Sequence, residues 1–185
     1  MPLERHHMNL LAQATQPRLP LYCTIELTLG QFTIVSAHRY EWATQWSWHA
    51  GWNPHTNSYY AKRSEYMGTV DGKRIIKTFR LHREILGLKT GDPQGDHHNG
   101  DTLDNTDDNL RVASHAQNMQ NRGKSVANTS GFKGVSWHKR IKKWAAYICV
   151  NGKLKHLGYY DTREEAYAVH CAAALKYHGE FARLA

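Results

Sequence analysis

The sequence predicts an α+β protein: a β-rich N-terminal region leading into a ββα unit, then a separate three-stranded antiparallel sheet packed on one helix. Three observations carry that reading. Apolar and polar residues alternate over residues 22–35 about Gly30 and over residues 59–81 about Asp71-Gly72, the two-residue period of half-buried strands joined by tight turns. Asn151-Gly152 stands between two more alternating runs and is the strongest short-range hairpin signal a chain offers. Thr162 and Glu165 fit a capping box at the head of an alanine-rich helix.

In chain order, residues 1–21 form an N-terminal extension and residues 22–122 the β-rich region with its ββα unit. A short helix is expected over residues 39–48, whose Tyr40, Trp42, Trp46 and Trp48 suit a core better than a base-stacking surface. A second covers residues 82–88, before a Gly- and Pro-containing loop at 91–95. A strand ending in Asp96-His97, a turn, a strand starting near Asn109 and a helix over residues 114–122 complete the ββα unit, with Ser114 at the N-cap and Gly123 as the stop. Residues 123–130 are small and polar and suit a linker. Within residues 131–185, strands are expected at 133–139, 143–150 and 153–160. The helix after them carries Ala166, Val169, Ala173 and Tyr177 on one face. If Val135, Trp137, Ala146, Ile148 and Leu157 meet that face, Ser136, His138, Tyr147, Cys149, Leu154 and His156 form the opposite, open face.

Composition narrows the function classes. The 185 residues can bury one good core or two small ones in series. Mean hydropathy is −0.68 and no apolar run reaches the roughly 20 residues of a membrane helix. The first 21 residues lack the continuous apolar stretch of a secretory signal, so a cytoplasmic location is expected, with no membrane partner. Cys23, Cys149 and Cys171 are odd in number and never form a C-x-x-C pair, so they are expected reduced and buried, with no structural zinc.

The formal net charge of +8 suggests an acidic polymer as partner. Its distribution is uneven: 11 basic and 7 acidic side chains in residues 1–95, 2 and 5 in residues 96–122, and 11 and 4 in residues 123–185. No carboxylate falls between Asp108 and Asp161, while ten cations do. A charge run is as often a plain solvated face. Here interleaved aromatic residues shift the balance toward phosphate binding.

The chemistry concentrates in Gly95-Asp96-His97-His98-Asn99-Gly100-Asp101, then Asn109-Leu110-Arg111 and Asn118. In a ββα unit, Asp96 and Asn118 would offer a carboxylate and an amide oxygen to one hard divalent cation, magnesium fitting best. His97 would take a proton from a water aimed at phosphorus. His98 points away by alternation, and His115, three residues before Asn118, suits an exposed helix start. Asp96-His97-His98 also matches a fragment of the D-H-H phosphoesterases, whose further Asp and His motifs are absent.

Residues 81–122 resemble the HNH endonucleases, in particular the free-standing phage-type homing enzymes. Leu81-His82-Arg83, Asp96-His97, then Asn109 after 12 intervening residues from Asp96 and Asn118 after eight more carry the likeness. The resemblance implies His97 as general base, Asp96 and Asn118 holding a single divalent metal (magnesium, with manganese the alternative), and Asn109 bracing the loop that aims His97 at the scissile phosphate. Where many members carry His as the third letter, this chain carries Asn118, which keeps an oxygen ligand. His82 and Arg83 are assigned supporting roles.

Residues 129–185 are similar to the Apetala or ethylene-response-factor type of DNA-binding domain. Ser130-Gly131-Phe132-Lys133-Gly134-Val135, Lys143-Trp144-Ala145-Ala146, Leu157-Gly158-Tyr159-Tyr160-Asp161-Thr162 and Ala173-Ala174-Leu175-Lys176-Tyr177-His178-Gly179-Glu180 carry that likeness. The family lays its sheet in the major groove. At the positions it reads bases with, this chain has Ser136, His138, Tyr147, Cys149, Leu154 and His156, so the family's base preference does not transfer. The expected DNA contacts are Arg111, Arg122, Lys124, Lys133, Ser136, His138, Lys139, Arg140, Lys143, Tyr147, Lys153, Lys155 and His156. The sequence thus points to a metal-dependent HNH endonuclease, of homing type, acting on double-stranded DNA without a protein partner. The alternative is a non-catalytic, sequence-specific DNA-binding regulator that retains a vestigial HNH fold.

Overall fold

The structure, a computed structural model, describes residues 21–184, so the expected N-terminal extension lies outside the described residues except for Leu21. Strands β1 (Tyr22–Glu26) and β2 (Phe32–Ser36) form an antiparallel hairpin. A 3-10 turn (Ala37–Arg39) runs into helix α1 (Tyr40–Ala43), shorter than the expected helix over residues 39–48. The Trp48 indole donates to the Ala43 carbonyl at 2.8 Å, a side chain taking an acceptor that a longer helix would use, and the chain turns into strand β3 (His49–Asn53). Strands β4 (Ser58–Val70) and β5 (Lys73–Arg80) join β3 in a second antiparallel sheet, order β3-β4-β5. Asp71 and Gly72 both take positive φ, +50° and +74°, as a two-residue turn matching strand twist requires.

Ile25, Leu27, Val35, Ala43, Trp48, Leu81 and Ile85 form the core of this half, with Trp42 and Trp46 packed against it. Helix α2 (Leu81–Ile85) leads to strands β6 (Gln94–His97), β7 (Asp104–Asn105) and β8 (Leu110–Ala113), and to helix α3 (His115–Asn121). β6 and β8 pair antiparallel, Asp96 opposite Arg111 and His97 opposite Leu110, and α3 packs on both. The Ser114 hydroxyl accepts from the Gln117 amide and the Gln117 side chain accepts from the Ser114 amide, a complete capping box. β7 pairs parallel with β2, Ile34 opposite Asp104, which ties the loop between β6 and β8 to the first hairpin.

Residues 123–130, expected as a linker, are folded onto the segment that follows. Asn128 donates to the Phe132 carbonyl and accepts from the Gly131 amide and the Ser130 hydroxyl, and Ser130 is buried. Strands β9 (Val135–His138), β10 (Lys143–Val150) and β11 (Lys153–Tyr160) form an antiparallel sheet in the order β11-β10-β9. Helix α4 (Arg163–His178), opened by the Thr162–Glu165 capping box, lies across it and ends in a 3-10 turn (Gly179–Phe181). Val135, Ala146 and Ile148 are buried on the helix side together with Ala166, Ala173 and Ala174.

Four expectations for this part change. Trp137 is 45% exposed and packs edge-on against Trp144 instead of being buried under α4. His170, not Tyr177, fills the contact face of α4: the small alanines let the sheet come close enough for the ring to reach the Tyr147 carbonyl at 2.7 Å. Tyr177 is exposed and its hydroxyl receives Lys155. Cys149 is exposed rather than buried because it lies on the open face, while Cys23 and Cys171 are half-buried.

Candidate active site

Strand β6 and helix α3 wall a cavity of about 620 Å³ lined by Tyr60, Gln94, Asp96, His97, Asn118, Asn121 and Arg122, among others. Asp96 and His97 are 4% and 5% exposed, a burial at which electrostatic interactions are strong.

His97 sits at the end of a hydrogen-bond chain whose direction is determined step by step. The Thr33 hydroxyl donates to the Leu103 carbonyl at 2.6 Å, so its oxygen accepts from Asn105 Nδ2 at 2.7 Å. That orients Asn105 with Oδ1 toward His97 Nε2, 3.2 Å away. A carbonyl-type oxygen only accepts, so Nε2 carries the proton and Nδ1 carries the lone pair. Burial pushes the His97 pKa below its ordinary value, with the Asn105 bond and the Asp96 charge opposing, so the ring is neutral at neutral pH. The buried His82 ring packs edge-on at 4.9 Å and is held well below its ordinary pKa, first by burial and then by His97, Arg80 and Arg83. A Cβ on Gly95 would collide with the His82 ring, so glycine is what lets these two histidines meet behind β6.

Asp96 accepts from Arg111 Nε at 2.8 Å through Oδ2, and from Asn121 Nδ2 at 3.1 Å through both oxygens. Asn121 also donates to the His97 carbonyl at 2.8 Å. Asn118 lines the same cavity, but its Nδ2 donates to Gln94 Oε1 at 2.7 Å, and the amide that touches Asp96 is the one a turn further along α3. Both amides use their nitrogen in these bonds, leaving their oxygens as donors for a cation. A carboxylate offers about four lone-pair sites, and among the described residues Oδ1 accepts only from Asn121. One carboxylate with amide oxygens is the sparse, hard donor set of a cation that keeps much of its water. Among the described residues, no three His, Cys, Asp or Glu side chains converge as a metal cluster.

The remaining expected residues divide by what they touch. Asn109 accepts from the Asn99 amide at 2.9 Å and donates to the Asp104 carbonyl at 2.8 Å, so it braces the loop and does not bond His97. Arg83 donates to the Pro93 and Lys89 carbonyls and shapes the loop ahead of β6. His98 is exposed and meets Arg111; exposed His115 meets Gln94 at the cavity rim. Asn105, Asn121 and Tyr60 were absent from the sequence candidates. Asn121 lies three residues beyond Asn118 on one helix, a spacing that would have found it; Asn105 depends on the pairing of β7 with β2.

Of the ten cations in the carboxylate-free stretch, two find partners in space: Arg111 at Asp96 and Lys143 at Asp161, 3.0 Å away. Four others bond within the protein: Arg122 to the His55 carbonyl, Lys124 to Gly131, Lys133 to Gln120 and Lys155 to Tyr177. Lys133 is half-buried, and burial with the nearby Arg183 lowers its pKa to about 8. Lys153 and Lys155 pair with Val150 and Ile148 and so lie on the helix side of the sheet. The open face holds Ser136, His138, Lys143, Tyr147, Cys149, Leu154 and His156, with Tyr159 added: its ring lies 4.4 Å from His156 and 5.2 Å from His138. Lys139 and Arg140 are exposed at the β9–β10 turn.

A strand–strand–helix unit with a buried Asp-His pair, followed by a sheet with an exposed aromatic face, defines a nuclease-like unit joined to a DNA-binding module. Family models agree: that of the HNH endonuclease matches residues 79–120 and that of the AP2 domain residues 130–180. The chain therefore carries a region of the HNH endonuclease family followed by an AP2 domain. It is 32% identical over 115 residues to protein 3.8 of Escherichia phage T7, covering 60% of this chain and 94% of that protein. It is 27% identical over 153 residues to a protein of Acanthamoeba polyphaga mimivirus named as an uncharacterised HNH endonuclease, covering 83% of this chain and 74% of the relative. Among the described residues no helix is long and apolar enough to cross a membrane.

Proposed function

We propose that this protein hydrolyses phosphodiester bonds of double-stranded DNA, with His97 as general base. The observation that carries the proposal is the chain Leu103–Thr33–Asn105–His97, which fixes the proton of the neutral imidazole on Nε2 and so its lone pair on Nδ1, in a ring that lines the cavity. From there His97 removes a proton from the attacking water as the water adds to phosphorus, and Asn105 stabilises the imidazolium that forms. Asp96 and Asn118 hold one divalent ion, magnesium or manganese, with the Asn121 oxygen as a further donor; when bound, the ion supplies positive charge for the departing oxygen. Arg111 and Asn121 keep the Asp96 carboxylate in one orientation, and Asn109 keeps the β6–β8 loop folded beneath His97.

In this proposal residues 22–122 form the nuclease part and residues 131–185 dock the enzyme on duplex DNA through the open sheet face. Tyr147, His156 and Tyr159 offer contact area there, and Lys139, Arg140 and Lys143 offer phosphate contacts. A homing-type enzyme acting in the cytoplasm of a bacterial or phage-infected cell is the corresponding biological role. The test is incubation of purified protein with duplex DNA flanking the gene's own insertion point, each strand labelled separately, with magnesium or with EDTA. Magnesium-dependent breaks in wild type, lost in His97→Ala with DNA binding retained, are expected. Tight binding with no strand broken in magnesium or manganese would instead identify a DNA-binding regulator on a vestigial nuclease fold.

A further inference from the structure

The last residues of the AP2 region bridge the two parts of the molecule. Ala182 packs on Ile148, Ala173 and Ala174 and the Tyr167 hydroxyl donates to the Leu184 carbonyl, while three other contacts reach the nuclease unit. Phe181 is buried, and the Arg111 guanidinium carbon lies over its ring, 3.8 Å from the centroid. The Glu180 carbonyl accepts from Arg111 Nη1 at 2.8 Å, while Nε of the same guanidinium holds the Asp96 carboxylate. Arg183 donates to the Asn99 carbonyl and lines the cavity that contains His97. Gly100 takes φ +75°, and a Cβ there would fall on the Arg183 guanidinium, so the arginine lies directly against the loop after His97. Lys133, at the start of the AP2 region, adds a bond to the Gln120 carbonyl on α3.

We propose that residues 179–184, from the AP2 region, complete the nuclease centre: Phe181 and the Glu180 carbonyl clamp Arg111 and through it orient Asp96, and Arg183 brings a cation to the wall of the cavity. Arg111 and Phe181 are positioning residues; Arg183 is the one placed to touch substrate. The physical reason is directional. A guanidinium bonds along fixed in-plane directions, and stacking on Phe181 removes its freedom to tilt, so the edge facing Asp96 cannot wander. The cut thereby depends on the docking module being in place, in the same chain, against α3.

The activity arm of the test rests on the nuclease reading and the second arm does not. Full-length wild type, Phe181→Ala, Phe181→Tyr and Arg183→Gln are compared for duplex affinity in EDTA and for single-turnover cleavage at saturating DNA with magnesium. Phe181→Ala is expected to slow cleavage about tenfold or more with affinity changed less than about twofold, because an interaction made to Asp96 rather than to DNA is removed. Phe181→Tyr, which keeps the ring, restores the rate, and Arg183→Gln slows cleavage with a similar split. In the second arm, hydrogen exchange without metal is followed at the β6 and β8 amides, which Phe181→Ala is expected to speed and Phe181→Tyr to leave near wild type. A Phe181→Ala protein that cuts at the wild-type rate, or loses rate only through affinity, overturns the proposal. Unchanged exchange at β6 and β8 overturns the clamp even if wild type cuts no DNA at all.

Discussion

Two buried histidines, one in each half of the molecule, show the same titration behaviour and opposite chemistry. His97 in the nuclease unit and His170 in the AP2 region are both pushed below their ordinary pKa by burial first. His170 donates Nδ1–H to the Tyr147 carbonyl, and its Nε2 is buried with no partner among the described residues, so its lone pair faces protein. His97 has the reverse arrangement, with the bonded nitrogen turned inward to Asn105 in a ring that lines a cavity. A depressed pKa therefore does not mark a catalytic base. What separates the two is which nitrogen the fold occupies and whether the other can meet a substrate.

The largest expected effect tests that contrast. His97→Ala should lower cleavage by about 10²- to 10⁴-fold, the usual range for removal of a general base, with duplex affinity in EDTA retained. His170→Asn should leave the cleavage rate at saturating DNA near wild type while lowering the melting temperature. Next comes Asn105. Asn105→Ala should slow cleavage by about tenfold or more, and Asn105→Asp should move the acidic limb of the pH–rate profile to higher pH. A carboxylate beside Nε2 favours the imidazolium, so the base form appears only at higher pH. An acidic limb that stays in place for Asn105→Asp would detach Asn105 from the base.

Smaller effects sharpen the other side of the comparison. Removing Lys139 and Arg140 together should flatten the dependence of log affinity on log salt by up to about 0.9 for each phosphate no longer neutralised, without changing cleavage at saturation. Smaller again is a stability effect the two halves share. His82 and His170 have folded pKa values below their unfolded value of about 6.5, so the unfolded chain binds more protons as pH falls. The stability is present above about pH 6.5 and declines as pH drops below it. Urea midpoints at pH 7.5 and 5.5 measure the decline, and His170→Asn should make it shallower.

Local chemistry was legible in the sequence and long-range chemistry was not. Ser114 and Thr162 announce their helices because a capping box involves residues three apart, and Asp71-Gly72 and Asn151-Gly152 announce their turns because positive φ is a property of one or two residues. Asp96-His97, Asn109 and Asn118 were readable as a spaced set. Their bonds were not: Asn105 is oriented by Thr33, 72 residues away, and Arg111 is held by Glu180, at the end of the AP2 match, and by Phe181 just beyond it. The ten-cation stretch does not keep its simple meaning for the same reason, since the carboxylates that pair with Arg111 and Lys143 come from outside that stretch.

The protonation state of one ring tests the account most directly. Nitrogen chemical shifts of the His97 imidazole, measured at pH 7 without metal in protein labelled at its histidines, should show a neutral ring protonated at Nε2 and bare at Nδ1. A neutral ring protonated at Nδ1 would contradict the hydrogen-bond chain from Leu103, and an imidazolium at that pH would contradict the neutral ring; either result removes the assignment of His97 as the base.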